Sequence, residues 1–242
     1  MWCKQSETGI IELVNHQLKN WWNVQLSEGT QECVRMALLR SEKAFSKSKS
    51  KYFWHEGEVA FHTENSVQYA IFLYMLSNSL YKAGFTEDAS YVYYLNKIMH
   101  SIDWFYAVEL PEYFGAEHPL SSVLGRASYG NYLFIYQGVT VGGNRKGDKI
   151  FYPQIGENVL LYSDSKVIGN SRIGNNVIVS AGCYIKDTDI PDNSIVYQGG
   201  GISRACHKGK KAGRNNSNDE PYMETLIIEK KVPRRLKCVI LR

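Results

Sequence analysis

The sequence predicts an α+β chain, a helical N-terminal part followed by a left-handed parallel β-helix of hexapeptide repeats. Three observations predict it. Apolar residues recur at helical spacing from about residue 8 to residue 100, the pattern changes completely near Val123, and from there aliphatic residues return at every sixth position. A period of six is neither the 3.6 of a helix nor the two of a half-buried strand.

Ile11, Leu13, Val14 and Leu18 mark a first amphipathic helix, and Val34, Met36, Leu38 and Leu39 a second. The stretch 41–52, SEKAFSKSKSKY, is polar and aperiodic, so it is expected as an exposed connection. Gly84 is expected to stop the next helix and Thr86 to cap the one after it. That last helix carries Tyr91, Tyr94, Leu95, Ile98 and Met99. The expected division is a helical domain at 1–102, the β-helix at 103–200 and a basic C-terminal tail at 201–242.

Every sixth residue reads Val123, Tyr129, Ile135 and Val141, then, after an interruption, Ile155, Leu161, Val167, Ile173, Val179 and Ile185. Four places after these repeated positions stand small or aliphatic residues such as Leu133, Val139, Val159, Ser165, Val177 and Cys183. Each hexapeptide then supplies one short strand and one corner, three of them close a turn, and the aliphatic residue points inward to stack on its equivalent in the next coil. Gly or Asn is expected to give the corners their backbone freedom. The interruption at 144–154, NRKGDKIFYPQ, cannot continue the stack. It is expected as an excursion whose ends the coil holds fixed.

Bulk properties exclude several classes. The longest apolar run, Ala70 to Leu76, is far shorter than the roughly 20 residues that span a bilayer. The N-terminus lacks the features of a secretory signal, so the cytoplasm is expected. Five scattered cysteines suggest neither a disulfide framework nor a zinc site. The net charge of +4 is modest, and its basic run after Arg204 reads as a solvated tail, with no nucleic-acid partner expected.

From Asp103 to about Gln198 the chain resembles the serine acetyltransferase branch of the hexapeptide-repeat acyltransferases. The segment from Tyr136 to Asn144, YQGVTVGGN, is similar to the QSVTLGG of that family. Glu117 and His118, followed by Val123, Leu124 and Gly125, stand where it has Asp-His, two aliphatics and Gly. Asp103 lies fifteen residues before His118, the family's spacing between acidic orienter and catalytic His, and residues 166–196 track its closing coils. The resemblance implies an acetyl-CoA-dependent O-acetyltransferase with no metal, assembled as a homotrimer or a dimer of trimers. It implies His118 as base, Asp103 as its orienter and Glu117 as an acceptor contact. Gly142, Gly143, Ser163, Ala181 and Gly182 would line the groove for the pantetheine arm, with Lys186 meeting a phosphate.

The chemistry asks for the same residues. An alcohol attacks a thioester only when a base draws off its proton, and a neutral His oriented by a carboxylate does this near pH 7. One departure concerns the acceptor: where the family carries Asp-Arg-His-Pro, this chain has Ile150, Phe151, Tyr152 and Pro153. The cationic clamp for the serine carboxylate is gone, and Phe151 and Tyr152 suit the face of a sugar ring. Serine and a sugar hydroxyl or amine, for example on a surface-polysaccharide precursor, both stay open as acceptors. Two other readings are a non-catalytic trimeric scaffold, which has no need of an oriented base, and a metal-dependent hydratase. The latter needs three histidines where the repeats offer His118.

Overall fold

Helix α1 (Glu7–Trp22) starts where the Ser6 hydroxyl accepts the Gly9 amide and ends at Asn23, whose left-handed backbone closes the last turn. It buries Ile10, Val14 and Leu18, one residue per turn. Helix α2 (Gln31–Phe45) buries Cys33, Val34, Ala37, Ser41, Ala44 and Phe45. Met36 and Leu39, expected on the inner face, stand 42% and 53% exposed. Small residues at 37, 41 and 44 let the backbone approach α3 (Ser66–Lys82) closely, so the stripe of small side chains, not of large ones, turns inward.

The same burial extends α2 into the stretch expected as a connection, which shrinks to Ser46–Ser50 before a short 3₁₀ turn at Lys51–Phe53. Helix α3 is apolar almost all round and central: its residues from Gln68 to Asn78 are all buried. Asn65 caps it, its side-chain oxygen accepting the amides of Val67 and Gln68. Gly84, with φ +90°, stops the chain's helical path as expected. Helix α4 (Thr86–His100) is capped at Phe85 without a side-chain bond, so Thr86 lies inside the first turn and does not cap it. Of the apolar residues expected to line α4, Leu95 is buried, whereas Tyr94, Ile98 and Met99 are more than 40% exposed. None of these helices is long and apolar enough to cross a membrane, among the described residues.

This computed structural model describes residues 1–198 and 237–241, which leaves nearly all of the basic tail, Cys206 included, outside the described residues. Before the coil a small sheet orders β1 (Trp2–Cys3), β3 (Glu58–Phe61) and β2 (Trp54–His55). Three parallel sheets follow. The first joins β4 (Asp103–Trp104), β6 (Val123–Leu124), β9 (Thr140–Gly142), β14 (Lys166–Ile168) and β17 (Tyr184–Lys186). The second joins β5 (Phe114–Ala116), β8 (Leu133–Ile135), β13 (Val159–Leu161), β16 (Val177–Val179), β19 (Ser194–Gln198) and β20 (Lys237–Leu241). The third joins β7 (Ser128–Tyr129), β12 (Gln154–Ile155), β15 (Arg172–Ile173) and β18 (Asp189–Ile190).

From β6 to β19 the chain visits first, third and second sheets in rotation, apart from an excursion between β9 and β12, the path of a three-sided coil. Inside it Leu124, Val141, Val167 and Ile185 stack in register on one side. On the next, Ala116, Ile135, Leu161, Val179 and Val196 do the same. All nine are buried, and they are continuous with the helical core, which closes over the coil's first turn through Trp104 and Phe114.

The phase of the repeat shifts at both ends. Val123, expected inward, is 37% exposed and Leu124 is fully buried in its place. Past Ile185 the inward residue is Ile190, so that coil is also one residue short.

Corners take their left-handed residue from Asn158, Asn176 and Asn193 at one edge and from Gly138, Asp164 and Gly182 at another, all with φ between 56° and 71°. The glycines expected to serve this purpose at 130, 156 and 174 have ordinary φ. They are needed because a Cβ on Gly130 would lie 2.5 Å from the Gly156 backbone in the adjoining coil.

His100, at the end of α4, is buried at 7% exposure, with Nδ1 2.7 Å from Asn96 Oδ1. Because Asn96 Nδ2 donates to the Ala70 carbonyl, its oxygen faces the ring, and His100 must carry its proton on Nδ1. Burial pushes its pKa down from 6.5 to about 4, against the pull of the helix C-terminus on a cation. The unfolded imidazole charges first as acid is added, so this contribution to stability is complete above pH 6.5 and is lost as pH falls towards 4. At about 1.4 kcal/mol per unit it amounts to roughly 3 kcal/mol. Urea midpoints measured across that window should fall for the wild type and fall less steeply for His100→Gln.

Candidate active site

Glu117 still belongs to the ladder of the second sheet, its amide donating to the Ile135 carbonyl at 2.9 Å. At His118 the backbone turns left-handed, φ +47°, the Leu120 amide closes on the His118 carbonyl at 2.8 Å, and Ser121 is left-handed again. Ser121 stands in the left-handed corner row of Gly138, Asp164 and Gly182, whereas the left-handed His118 has no counterpart in the later coils and costs about 1–2 kcal/mol, a strain that gathers where a side chain is being aimed. The imidazole that results is 76% exposed, with Nε2 3.9 Å from Glu117 Oε1.

It opens on a cavity of about 740 Å³ between coil and helices. One wall is Phe114, Gly115, Ala116, Glu117, His118 and Phe134. The helical part supplies the other: Phe45 at the end of α2, Ser48, Ser50, Tyr52 and Phe53 after it, then Glu64, Asn65, Ser66 and Val67 at the start of α3. Sequence reasoning missed this second wall. Its one legible signal is the Asn65 cap, which places the residues around it at a helix start.

Asp103 is placed differently from the expectation. Its two carboxylate oxygens accept from the Tyr93 hydroxyl and from Lys97 Nζ, each at 2.6 Å, and no hydrogen bond joins it to His118 in the protomer. The reason lies in α4, where Tyr93 and Lys97, one turn apart on the same face, reach β4 before the chain arrives at His118. Partial burial would raise the Asp103 pKa, but the bonds from Lys97 and Tyr93 outweigh it and hold the carboxyl below its ordinary range.

The six groove residues fall at two corners. Ser163, Ala181 and Gly182 stand at the corner between second and first sheets, the one where His118 lies two coils before Ser163 and three before the other two, and the Gly182 amide donates to the Ser163 carbonyl at 2.9 Å. Gly142 and Lys186 share one outward row of the first sheet, where they flank Ile168, and Gly143 follows at the next corner.

From that corner the interruption leaves as an antiparallel hairpin of β10 (Asn144–Lys146) and β11 (Lys149–Phe151). Gly147, with φ +58°, supplies the first turn position, the pattern of a type II′ hairpin. Asp187 moors the arm: Oδ1 accepts the Asn170 amide, and Oδ2 receives Lys146 at 3.0 Å and Asn144 at 3.4 Å. The Asn170 amide first, then Lys146, holds the Asp187 carboxyl below its usual pKa. Tyr152 lies against Gly143, where a Cβ would come within 2.8 Å of its ring. Phe151 and Tyr152 thus line no part of the His118 cavity within one protomer. Cys183 is fully buried at an inward corner position, as its place in the repeat demands.

Residues 152–187 match the family described as bacterial transferase hexapeptide (six repeats). The chain is 25% identical over 169 residues to a serine acetyltransferase of Staphylococcus epidermidis, covering 68% of this chain and 78% of that protein. It is 28% identical over 128 residues to one of Synechococcus elongatus, about half of each chain, 52%. Among solved structures it is similar to serine acetyltransferase isoform 3 of Entamoeba histolytica in complex with cysteine, with a TM-score of 0.58 and 21% identity over 84% of this chain and 73% of that one. It is also similar to the Neisseria gonorrhoeae serine acetyltransferase in complex with serine, with a TM-score of 0.53 and 22% identity over 80% and 78%. At these identities the solved structures bear on the fold alone.

Proposed function

As a serine acetyltransferase-like hexapeptide-repeat acyltransferase, the protein, we propose, transfers the acetyl group of acetyl-CoA to a hydroxyl of a small acceptor with His118 as general base. The observation that carries this reading is the strained left-handed turn that aims an imidazole into a cavity with a carboxylate, Glu117, alongside. In the reaction the acceptor oxygen bonds to the acetyl carbon as the carbon–sulfur bond breaks. The hydroxyl proton passes to His118 and on to the departing thiolate, leaving an ester and free CoA.

Ser163, Ala181 and Gly182 at one corner, and Gly142, Gly143 and Lys186 at the other, are proposed to border the groove for the pantetheine arm. A left-handed coil assembled as a homotrimer, whose neighbouring hairpin brings Phe151 and Tyr152 to the site, completes the reading. The division at 1–102, 103–200 and 201–242 is part of it. Thiol release from acetyl-CoA, dependent on an added hydroxyl acceptor, tests the activity. Purified protein that releases no thiol with any alcohol would end it.

Asp103 is proposed to act on the site indirectly, by tying α4 to β4. Its substitution to Asn is then expected to lower kcat less than tenfold and to leave the pH–rate profile unmoved. An orienter in direct contact with the base would cost about 10⁴-fold. Because its carboxyl titrates below the ordinary range, its contribution to stability is present above about pH 4 and is lost as acid protonates it. Urea midpoints of Asp103→Asn should show a shallower acid loss than the wild type.

A further inference from the structure

The cavity at His118 also bears on which acceptor it serves. We propose that the acceptor is an uncharged or amine-bearing sugar whose hydroxyls are held by Glu64 on the helical wall, and not an amino acid held through its carboxylate. This rests on the reading of His118 as the base. The cavity's 740 Å³ lies within the roughly 300–1,000 Å³ of sites for drug-sized ligands, far beyond what a three-carbon amino acid fills.

Its fixed charges are of one sign. Glu64 and Glu117 both line it, the Glu64 carboxylate being 75% exposed with His62 Nδ1 at 3.7 Å, and among the described residues no Lys or Arg does. Lysines of the neighbouring segment have other partners: Lys43 pairs with Glu112, Lys47 lies over the Tyr113 ring and Lys51 over Tyr52. The start of α3 offers little to an anion, because Asn65 already takes the amides of Val67 and Gln68. From the groups of its own protomer, a carboxylate in this space would meet two like charges and no clamp, and the residues that a neighbour's hairpin is proposed to bring are the aromatic Phe151 and Tyr152. Hydroxyl and ammonium groups, in contrast, donate to carboxylates and gain the stronger, charge-assisted kind of bond. Phe53 supplies an apolar surface against which the less polar face of a sugar ring packs.

The test measures thiol release from acetyl-CoA by the full-length protein with methyl glucoside, glucosamine and L-serine in parallel, together with acetyl-CoA binding by calorimetry. One or both sugars should be acetylated, with serine no faster than water. Glu64→Gln should raise the KM for the sugar about tenfold or more, the loss of a hydrogen bond to a charged group, while the KM for acetyl-CoA stays constant. Serine turnover matching or exceeding that of the sugars would overturn the acceptor class and leave the acetyltransferase reading standing. Acetyl-CoA binding without transfer to either sugar, or an unchanged KM in Glu64→Gln, would overturn it equally. Failure to bind acetyl-CoA at all would remove the parent reading, and this proposal with it.

Discussion

Replacing His118 with Ala is expected to lower kcat for acetyl transfer by about 10²–10⁴-fold, the usual worth of a positioned base, while acetyl-CoA binding changes little. The two effects separate because the groove residues proposed for the coenzyme belong to later coils, whereas the imidazole stands on the first. Folding should hold as well, since the side chain is 76% exposed and its removal opens no hole. The backbone argues in the same direction: Ala tolerates φ +47° no better than His does, so the variant loses chemistry and gains no relief of strain. Steady-state thiol release and calorimetric titration with acetyl-CoA check the two halves. A variant that turns over at the wild-type rate removes His118 from the mechanism.

Trp104→Ala is the substitution expected to cost most in stability, about 3–5 kcal/mol, as for other large aromatic side chains deleted from a packed core. Trp104 is 2% exposed, meets Phe114 edge-on with ring centroids 5.2 Å apart, and donates its indole N–H to Ser122 Oγ at 2.9 Å. Truncation would therefore leave a cavity and strand a buried hydroxyl. The ring also stands where the helical core meets the first turn of the coil, so losing it loosens the seam on which the His118 cavity depends. Urea denaturation of the pure variant gives the number, and a loss below about 1 kcal/mol would mean the seam is held elsewhere.

The coil was legible because its signal is redundant: each face repeats the same inward choice, and one aliphatic in six survives any single exception. Its phase was harder to read. Val123 and Leu124 are adjacent aliphatics, either of which satisfies the pattern, and the choice is made by pairing with Val141 across the sheet. Corner chemistry was half legible. Asn at 158, 176 and 193 does take up the left-handed backbone, but the need for Gly at 130, 156 and 174 comes from the next coil's backbone, to which a linear reading has no access.

At the site, His118 and Glu117 were visible as neighbours in a motif. Glu64 was not, and Asn65 is legible only as a helix cap, because more than fifty residues and the packing of α3 against the coil stand between them and the base. Asp103 shows the opposite failure. Spacing along the chain suggested one partner, and a helix side chain from before the coil supplied another.

The asparagines of one edge form a chain of their own: Asn158 Nδ2 donates to Asn176 Oδ1 at 2.8 Å, and Asn176 Nδ2 donates to Asn193 Oδ1 at 3.0 Å. Every amide passes its proton in the same sense, which gives the row a beginning and an end. It begins at Asn158, whose buried side-chain oxygen has no donor, because the preceding coil offers the ring of Tyr132 at the equivalent left-handed position. Growth of this protein by duplication therefore suits the row at either place. An extra turn carrying an Asn and spliced between Asn176 and Asn193 would find a waiting donor and acceptor, and one spliced ahead of Asn158 would donate to the oxygen that now has no donor.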